Sequence, residues 1–208
     1  MINHSIEIIS FLNDKYPNVK CALNYNKDYE LLIAVMLSAQ TTDNSVNKVT
    51  PILFSKYKNL KELSLASIED IENILRFIGM YKVKSKNVLG IANRLINDGI
   101  KVIPNDHNYL TSLPGVGRKT ANVVLSELYN EPLFAVDTHV SRITKRLGIA
   151  NKNDDPLIIE NKIYKYFKNT DLNKLNHQII HFGRDICNAK KPRCNECLLS
   201  NFCKGKKL

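Results

Sequence analysis

No apolar run in this 208-residue chain approaches the roughly 20 residues that span a bilayer. The opening ten residues, with His4 and Glu7, lack the basic stretch and apolar core of a secretory leader. No segment keeps a two-residue apolar alternation between hairpin turns, which argues against a β-sheet. Repeats of fixed period and low-complexity linkers are also missing. Cysteine is scarce until the end: Cys21 stands alone, and the other four of five lie in the last 22 residues. These absences argue against a helical membrane protein, a solenoid and a disulfide-stapled secreted domain. What is left is a cytosolic, helical chain whose clustered thiols point to metal rather than disulfides.

Hydrophobic residues make up 44% and charged residues 24%, which suits a folded chain of one or two domains. Lys and Arg number 30 against 20 Asp and Glu, a net charge of +10. Such a surplus fits a polyanionic partner, although a Lys-rich composition alone would produce the same number.

Helical periodicity runs throughout. Helices are expected over Ile6–Leu12, Tyr29–Ala39, and from an Asp43 cap toward Tyr57, with Pro51 bending the last or delaying its start. Ser67 with Asp70 three residues on resembles a capping box for Ile68–Ile78. Further helices are expected over Ser85–Ile96, Asp106–Ser112, Val116–Tyr129 and Thr138–Leu147, with Gly99 and Gly148 at chain reversals. Asp155-Pro156 reads as a cap followed by a proline at the first helical position, and Leu172–Ile186 leads into the tail. About ten helices make an all-α protein.

Two segments depart from this pattern. Leu113-Pro114-Gly115-Val116-Gly117-Arg118-Lys119 is a glycine hairpin opening into a helix with two cations in its first turn. The positive end of the helix dipole disfavours Arg118 and Lys119 there, so an anion is needed, and helix starts behind glycine turns are phosphate sites. Ala135-Val136-Asp137-Thr138 is a second helix start, this one led by a carboxylate. A phosphate grip, a lysine and an aspartate suggest chemistry on nucleic acid.

In the tail, Cys187, Cys194, Cys197 and Cys203 are spaced C-x6-C-x2-C-x5-C. Soft thiolates suit zinc or an iron–sulfur cluster, and the single close pair fits two-pair zinc sites less well. Lys190, Lys191, Arg193, Lys204, Lys206 and Lys207 surround them. These cations can offset a cluster's negative charge. Lys190, Lys191 and Arg193 can either press on a DNA backbone or stand as solvated charge. Cys21 reads as a small buried hydrophobe.

The segments LPGVGRKTANVVL, AVDTHV and the cysteine tail, in this order, resemble the endonuclease III family of base-excision DNA glycosylases. Leu37–Asp43 (LSAQTTD) and Gly79-Met80-Tyr81 match further family segments, so the likeness covers essentially the whole chain. It implies two helical domains flanking an active-site cleft. A six-helix domain with the helix-hairpin-helix spans residues 21–131, and residues 1–20 with 132–208 hold a [4Fe–4S] cluster on the four cysteines. It further implies a monomer, associated with the nucleoid through damaged double-stranded DNA. Such an enzyme removes oxidised pyrimidines and cleaves the strand by β-elimination. Lys119 matches the nucleophile, where the helix start, Arg118 and partial burial favour the neutral amine. Asp137 matches the carboxylate that stabilises charge as the base leaves. Leu113, Gly115, Gly117 and Arg118 match the phosphate-gripping hairpin, and Gln40 and Met80 the residues that fill or wedge the gap left by an extruded nucleotide. Many members carry leucine at the Met80 position. His139 reads as a DNA contact or as a structural histidine. Two other classes stay open: a monofunctional mismatch glycosylase, against which Lys119 speaks, and a non-catalytic DNA-binding protein with structural zinc.

Overall fold

The computed structural model describes residues 3–206, so Lys207 lies outside the described residues. They contain eleven α-helices, two short 3-10 turns and no strand. The helices are α1 (Ser5–Lys15), α2 (Asp28–Leu37), α3 (Asp43–Lys56), α4 (Leu60–Ser64), α5 (Ile68–Leu75) and α6 (Tyr81–Asn97). They continue as α7 (His107–Thr111), α8 (Arg118–Tyr129), α9 (Thr138–Leu147), α10 (Pro156–Tyr166) and α11 (Leu172–Asp185). The all-α expectation therefore holds.

The chain divides into two compact units, Cys21–Tyr129 and the residues up to Lys20 together with Asn130 onward. The break falls two residues before the expected one. Seven helices, α2 to α8, lie in the first unit, one more than expected. The extra one is α4, too short for periodicity to reveal, started by the Asn59 side chain accepting from Glu62 N–H and anchored by buried Leu63.

In this unit α2 is the central element. Every side chain from Tyr29 to Leu37 is buried, which explains a nearly continuous apolar run without an amphipathic stripe. It packs against α3, α6 and α8. The cap of α3 is Thr42, whose hydroxyl accepts from Ser45 N–H, and Asp43 is instead the first helical residue. Pro51 neither delays nor ends α3, which runs past it. Ser67 caps α5 as expected, but that helix stops at Leu75. Helix α6 closes at Gly99, at φ +68°, with Ile100 N–H donating to the Leu95 carbonyl in a glycine-terminated reversal.

The other unit packs α1, α9, α10 and α11 around Ile8, Leu12, Phe134, Ile143, Ile159, Ile163, Ile179 and Phe182. Phe11 meets Phe182 edge to face at 5.5 Å. The N-terminal segment is secured by a buried amide: Gln178 of α11 donates to the Leu12 and Tyr16 carbonyls and to Asn13 Oδ1. The carbonyl of Tyr16, the C-cap of α1, thereby gains a donor, and that of Leu12, which also accepts from Tyr16 N–H, a second. Helix α9 ends at Gly148, at φ +77°, as expected.

Candidate active site

The hairpin is held by α6. Gly115 lies at φ +73°, and a β-carbon there would come within 2.8 Å of Asn87 Cγ. Only glycine combines that backbone angle with that approach. One turn on, Pro114 sits over Gly90, where a β-carbon would meet its ring at 3.0 Å. Asp106 caps α7 by accepting from Asn108 and Tyr109 N–H, and His107 Nε2 meets Asn122 Oδ1 at 3.1 Å, joining α7 to α8. A β-carbon on Gly117 would meet nothing within 4 Å, so open space faces the start of α8.

Helix α8 begins at Arg118, two residues later than expected, which leaves Val116 and Gly117 in the turn. Arg118 and Lys119 are both exposed, so the expected partial burial of Lys119 is absent. No acidic residue stands in the first turn of α8. The Leu113 side chain is 3% exposed and belongs to the core, which leaves its backbone as the part that can face a ligand. Its carbonyl accepts from Val116 N–H at 3.1 Å, closing the hairpin turn.

Two further site candidates share an unusual backbone. Gln40 and Met80 have φ of +53° and +58°, in the left-handed region, and both side chains are exposed. Asn130 and Asn169 are the other described non-glycine residues there, and Asn tolerates that region far better than Gln or Met. Strain of this kind, of order 1–3 kcal/mol, concentrates at functional loops. Between the two loops lies Lys84, buried on the first turns of α6, with Nζ donating to Thr41 Oγ1.

In the other unit, Asp137 caps α9, its carboxylate accepting from Val140 N–H at 2.7 Å. The segment leading to it is fixed from both sides. Asn176 donates to the Ala135 carbonyl at 2.8 Å, and Phe134 N–H donates to the Tyr164 hydroxyl at 3.1 Å. His139 is half-buried. Arg142 donates to its Nδ1 at 3.1 Å and to the Gly183 and Cys187 carbonyls. Burial pulls the His139 pKa below its ordinary value, partly opposed by Asp137. A neutral ring accepting from Arg142 has a structural role on that nitrogen.

Cys187, Cys194, Cys197 and Cys203 line one cavity with Arg146, Phe182, Ile186 and Leu199. Among the described residues, no three His, Cys, Asp or Glu side chains converge closely enough to hold a single metal ion. Burial raises the Cys197 and Cys203 thiols above their ordinary pKa, and the neighbouring thiols add to the rise. Arg146 was not read from the sequence. It donates to Cys187 Sγ at 3.2 Å and to the Asn188 and Ala189 carbonyls, and its own carbonyl accepts from Gly205 N–H. Cys21 is apart from the set, its thiol pushed up to about 11 by burial.

The tail cations divide. Lys190 and Lys191 are exposed. Arg193 is exposed too but pairs with Asp185 and, at 2.8 Å, with Glu196.

A helical unit with a hairpin of this shape defines a class, and sequence comparison agrees. A profile of the HhH-GPD superfamily of base excision DNA repair proteins matches residues 33–169. Endonuclease III of Bacillus subtilis (strain 168) is 41% identical over 193 residues, spanning 93% of this chain and 88% of its own. Endonuclease III of Rickettsia conorii is 41% identical over 203 residues, 98% of this chain and 95% of its own. A solved structure of a trapped covalent endonuclease III–DNA intermediate superposes with TM-score 0.91 at 38% identity, covering 99% of this chain and 97% of that one. A thermostable thymine-DNA glycosylase, TM-score 0.83 at 22% identity, shares the fold. The chain belongs to the endonuclease III family.

Proposed function

We propose that the protein is a bifunctional DNA N-glycosylase and abasic-site lyase that excises oxidised pyrimidines from duplex DNA during base excision repair. The observation that carries this reading is Lys119, an exposed amine in the first turn behind a glycine hairpin, in a chain whose relatives include one trapped covalently on DNA.

The hairpin binds a backbone phosphate through the Gly115 and Gly117 amides and the charge of Arg118, fixing register without reading sequence. Lys190 and Lys191 add phosphate contacts, and Arg193 can exchange its exposed ion pairs for one. The target nucleotide leaves the stack, and Gln40 and Met80 occupy the gap. The Lys119 Nζ lone pair then attacks C1′, and the electrons of the glycosidic bond leave with the base, which takes up a proton. The Asp137 carboxylate stabilises the cationic character that develops at the sugar. Opening of the sugar ring leaves a Schiff base on Nζ. Loss of a C2′ proton expels the 3′ phosphate and breaks the strand. His139 orients the start of α9 through Arg142 and completes the DNA-facing set.

The four cysteines fit a [4Fe–4S] cluster. They are an all-thiol donor set sharing one cavity, with the Arg146 guanidinium beside the Cys187 sulfur and the Cys197 and Cys203 thiols raised by burial, so that metal must drive their deprotonation. Bound there, the cluster supplies a staple for a loop-rich tail. Absorbance near 400 nm and iron and sulfide analysis test it, and colourless zinc-loaded protein overturns it.

The activity is tested with a duplex carrying one thymine glycol. The expected product is a strand broken by β-elimination, bearing an unsaturated sugar at its 3′ end. Base release without scission would favour a monofunctional glycosylase, and binding without either a non-catalytic protein.

A further inference from the structure

We propose that Lys84 is a positioning residue for nucleotide extrusion: its ammonium ties the loop carrying Gln40 to the helix start carrying Met80 and sets their separation. The inference rests on the reading of Gln40 and Met80 as the gap-filling pair.

Lysine is rarely hidden, yet Lys84 is only 5% exposed. Among the described residues it forms no ion pair with a carboxylate, and its one side-chain hydrogen bond goes to Thr41 Oγ1. Burial without a counter-charge lowers the pKa of the amine, so the site works against the charge it contains. An apolar side chain of similar length would fill the space at less cost, so packing alone does not account for a lysine here.

What the lysine does is connect. Thr41 follows Gln40 directly, and Lys84 N–H donates to the Met80 carbonyl at 3.0 Å in the first turn of α6. One residue thus joins, through its ammonium on Thr41 and its backbone amide on Met80, two segments whose left-handed residues lie 40 positions apart in sequence, each in a conformation its own residue type disfavours. Later turns of the same helix seat the hairpin through Asn87 and Gly90. Helix α6 therefore carries, in order, the Met80 wedge, the link to the Gln40 loop and the seat of the phosphate grip. A gap-filling pair must match the rise of a base step, and this link fixes that match.

The test compares Lys84→Met and Thr41→Val with wild type, and Thr41→Ser as the variant that keeps the hydroxyl. Single-turnover excision from a thymine-glycol duplex and 2-aminopurine fluorescence beside the lesion report extrusion. Borohydride trapping on a single-stranded abasic oligonucleotide reports chemistry that needs none. Both substitutions are expected to slow the duplex reactions roughly tenfold, with single-strand trapping within about twofold of wild type and Thr41→Ser restoring the duplex rate. Unchanged duplex rates, or equal losses on both substrates, overturn the proposal. Should Lys84→Met fail to fold, Thr41→Val decides alone. Gln40→Ala and Met80→Ala run in parallel. If they impair extrusion while Lys84→Met and Thr41→Val do not, this inference alone fails. If they have no effect, the gap-filling reading falls and this one with it.

Discussion

The starts of α8 and α9 present the same partial positive charge and treat it in opposite ways. Helix α9 satisfies its own end: the Asp137 carboxylate accepts from Val140 N–H, and Asn176 and Tyr164 hold the approaching chain. Helix α8 places Arg118 and Lys119 where the dipole is already positive and brings no acidic residue to its first turn. One end is capped by its own carboxylate; the other carries two cations with no acidic residue in its first turn, an arrangement that gains from an anion. A carboxylate cap is common, whereas two exposed cations at an end that disfavours them mark a surface shaped for its partner.

Substitutions can push this contrast until it breaks. Lys119→Gln should abolish strand scission, by on the order of 10³-fold or more, while thermal melting stays that of wild type. Asp137→Asn should lower base excision by roughly 10²-fold and keep the cap, because asparagine caps as well as aspartate. Asp137→Ala should add a stability loss of about 1 kcal/mol, read by denaturant melting. If Asp137→Asn keeps full activity, Asp137 is only a cap and the contrast collapses to local structure.

The hairpin glycines sharpen the comparison at smaller scale. Gly115→Ala must adopt a positive φ and meet Asn87, so it should lose about 1–3 kcal/mol of stability as well as DNA affinity. Gly117→Ala has room and no positive φ, so it should melt normally and lose affinity alone. The smallest effect is a pH dependence. The folded-state pKa of His139 is depressed by burial, so below about pH 6.5 the unfolded chain binds more protons and stability falls. His139→Gln should flatten part of that fall, as read by melting between pH 5 and 7.

Much of this was legible in the sequence where one residue does one local job. Ser67, Asp137 and Asp155 each cap the helix expected of them, and Gly99 and Gly148 end theirs. Local signals failed where two were adjacent: Thr42, not Asp43, caps α3, because either side chain can serve and geometry chooses. They failed also for α4, whose five residues complete barely one turn. At the candidate site, Gly115 was readable as a turn glycine, but Asn87 beneath it was not, since that approach joins residues 28 positions apart. Lys84 and Arg146 escaped for a similar reason. Each looks like one more cation on an amphipathic helix until the structure shows Lys84 buried against Thr41 and Arg146 beside Cys187. A lysine at a core-facing position of α6, among Ser85, Val88 and Ile91, was the one available clue.

The central claim is that the exposed amine in the first turn of α8 is the nucleophile. Borohydride reduction of the protein on an abasic duplex, followed by proteolysis and mass spectrometry of the cross-linked peptide, tests it directly. The account predicts one adduct, on Lys119 Nζ, absent from Lys119→Gln. An adduct on a different lysine, or one that persists in Lys119→Gln, would contradict it.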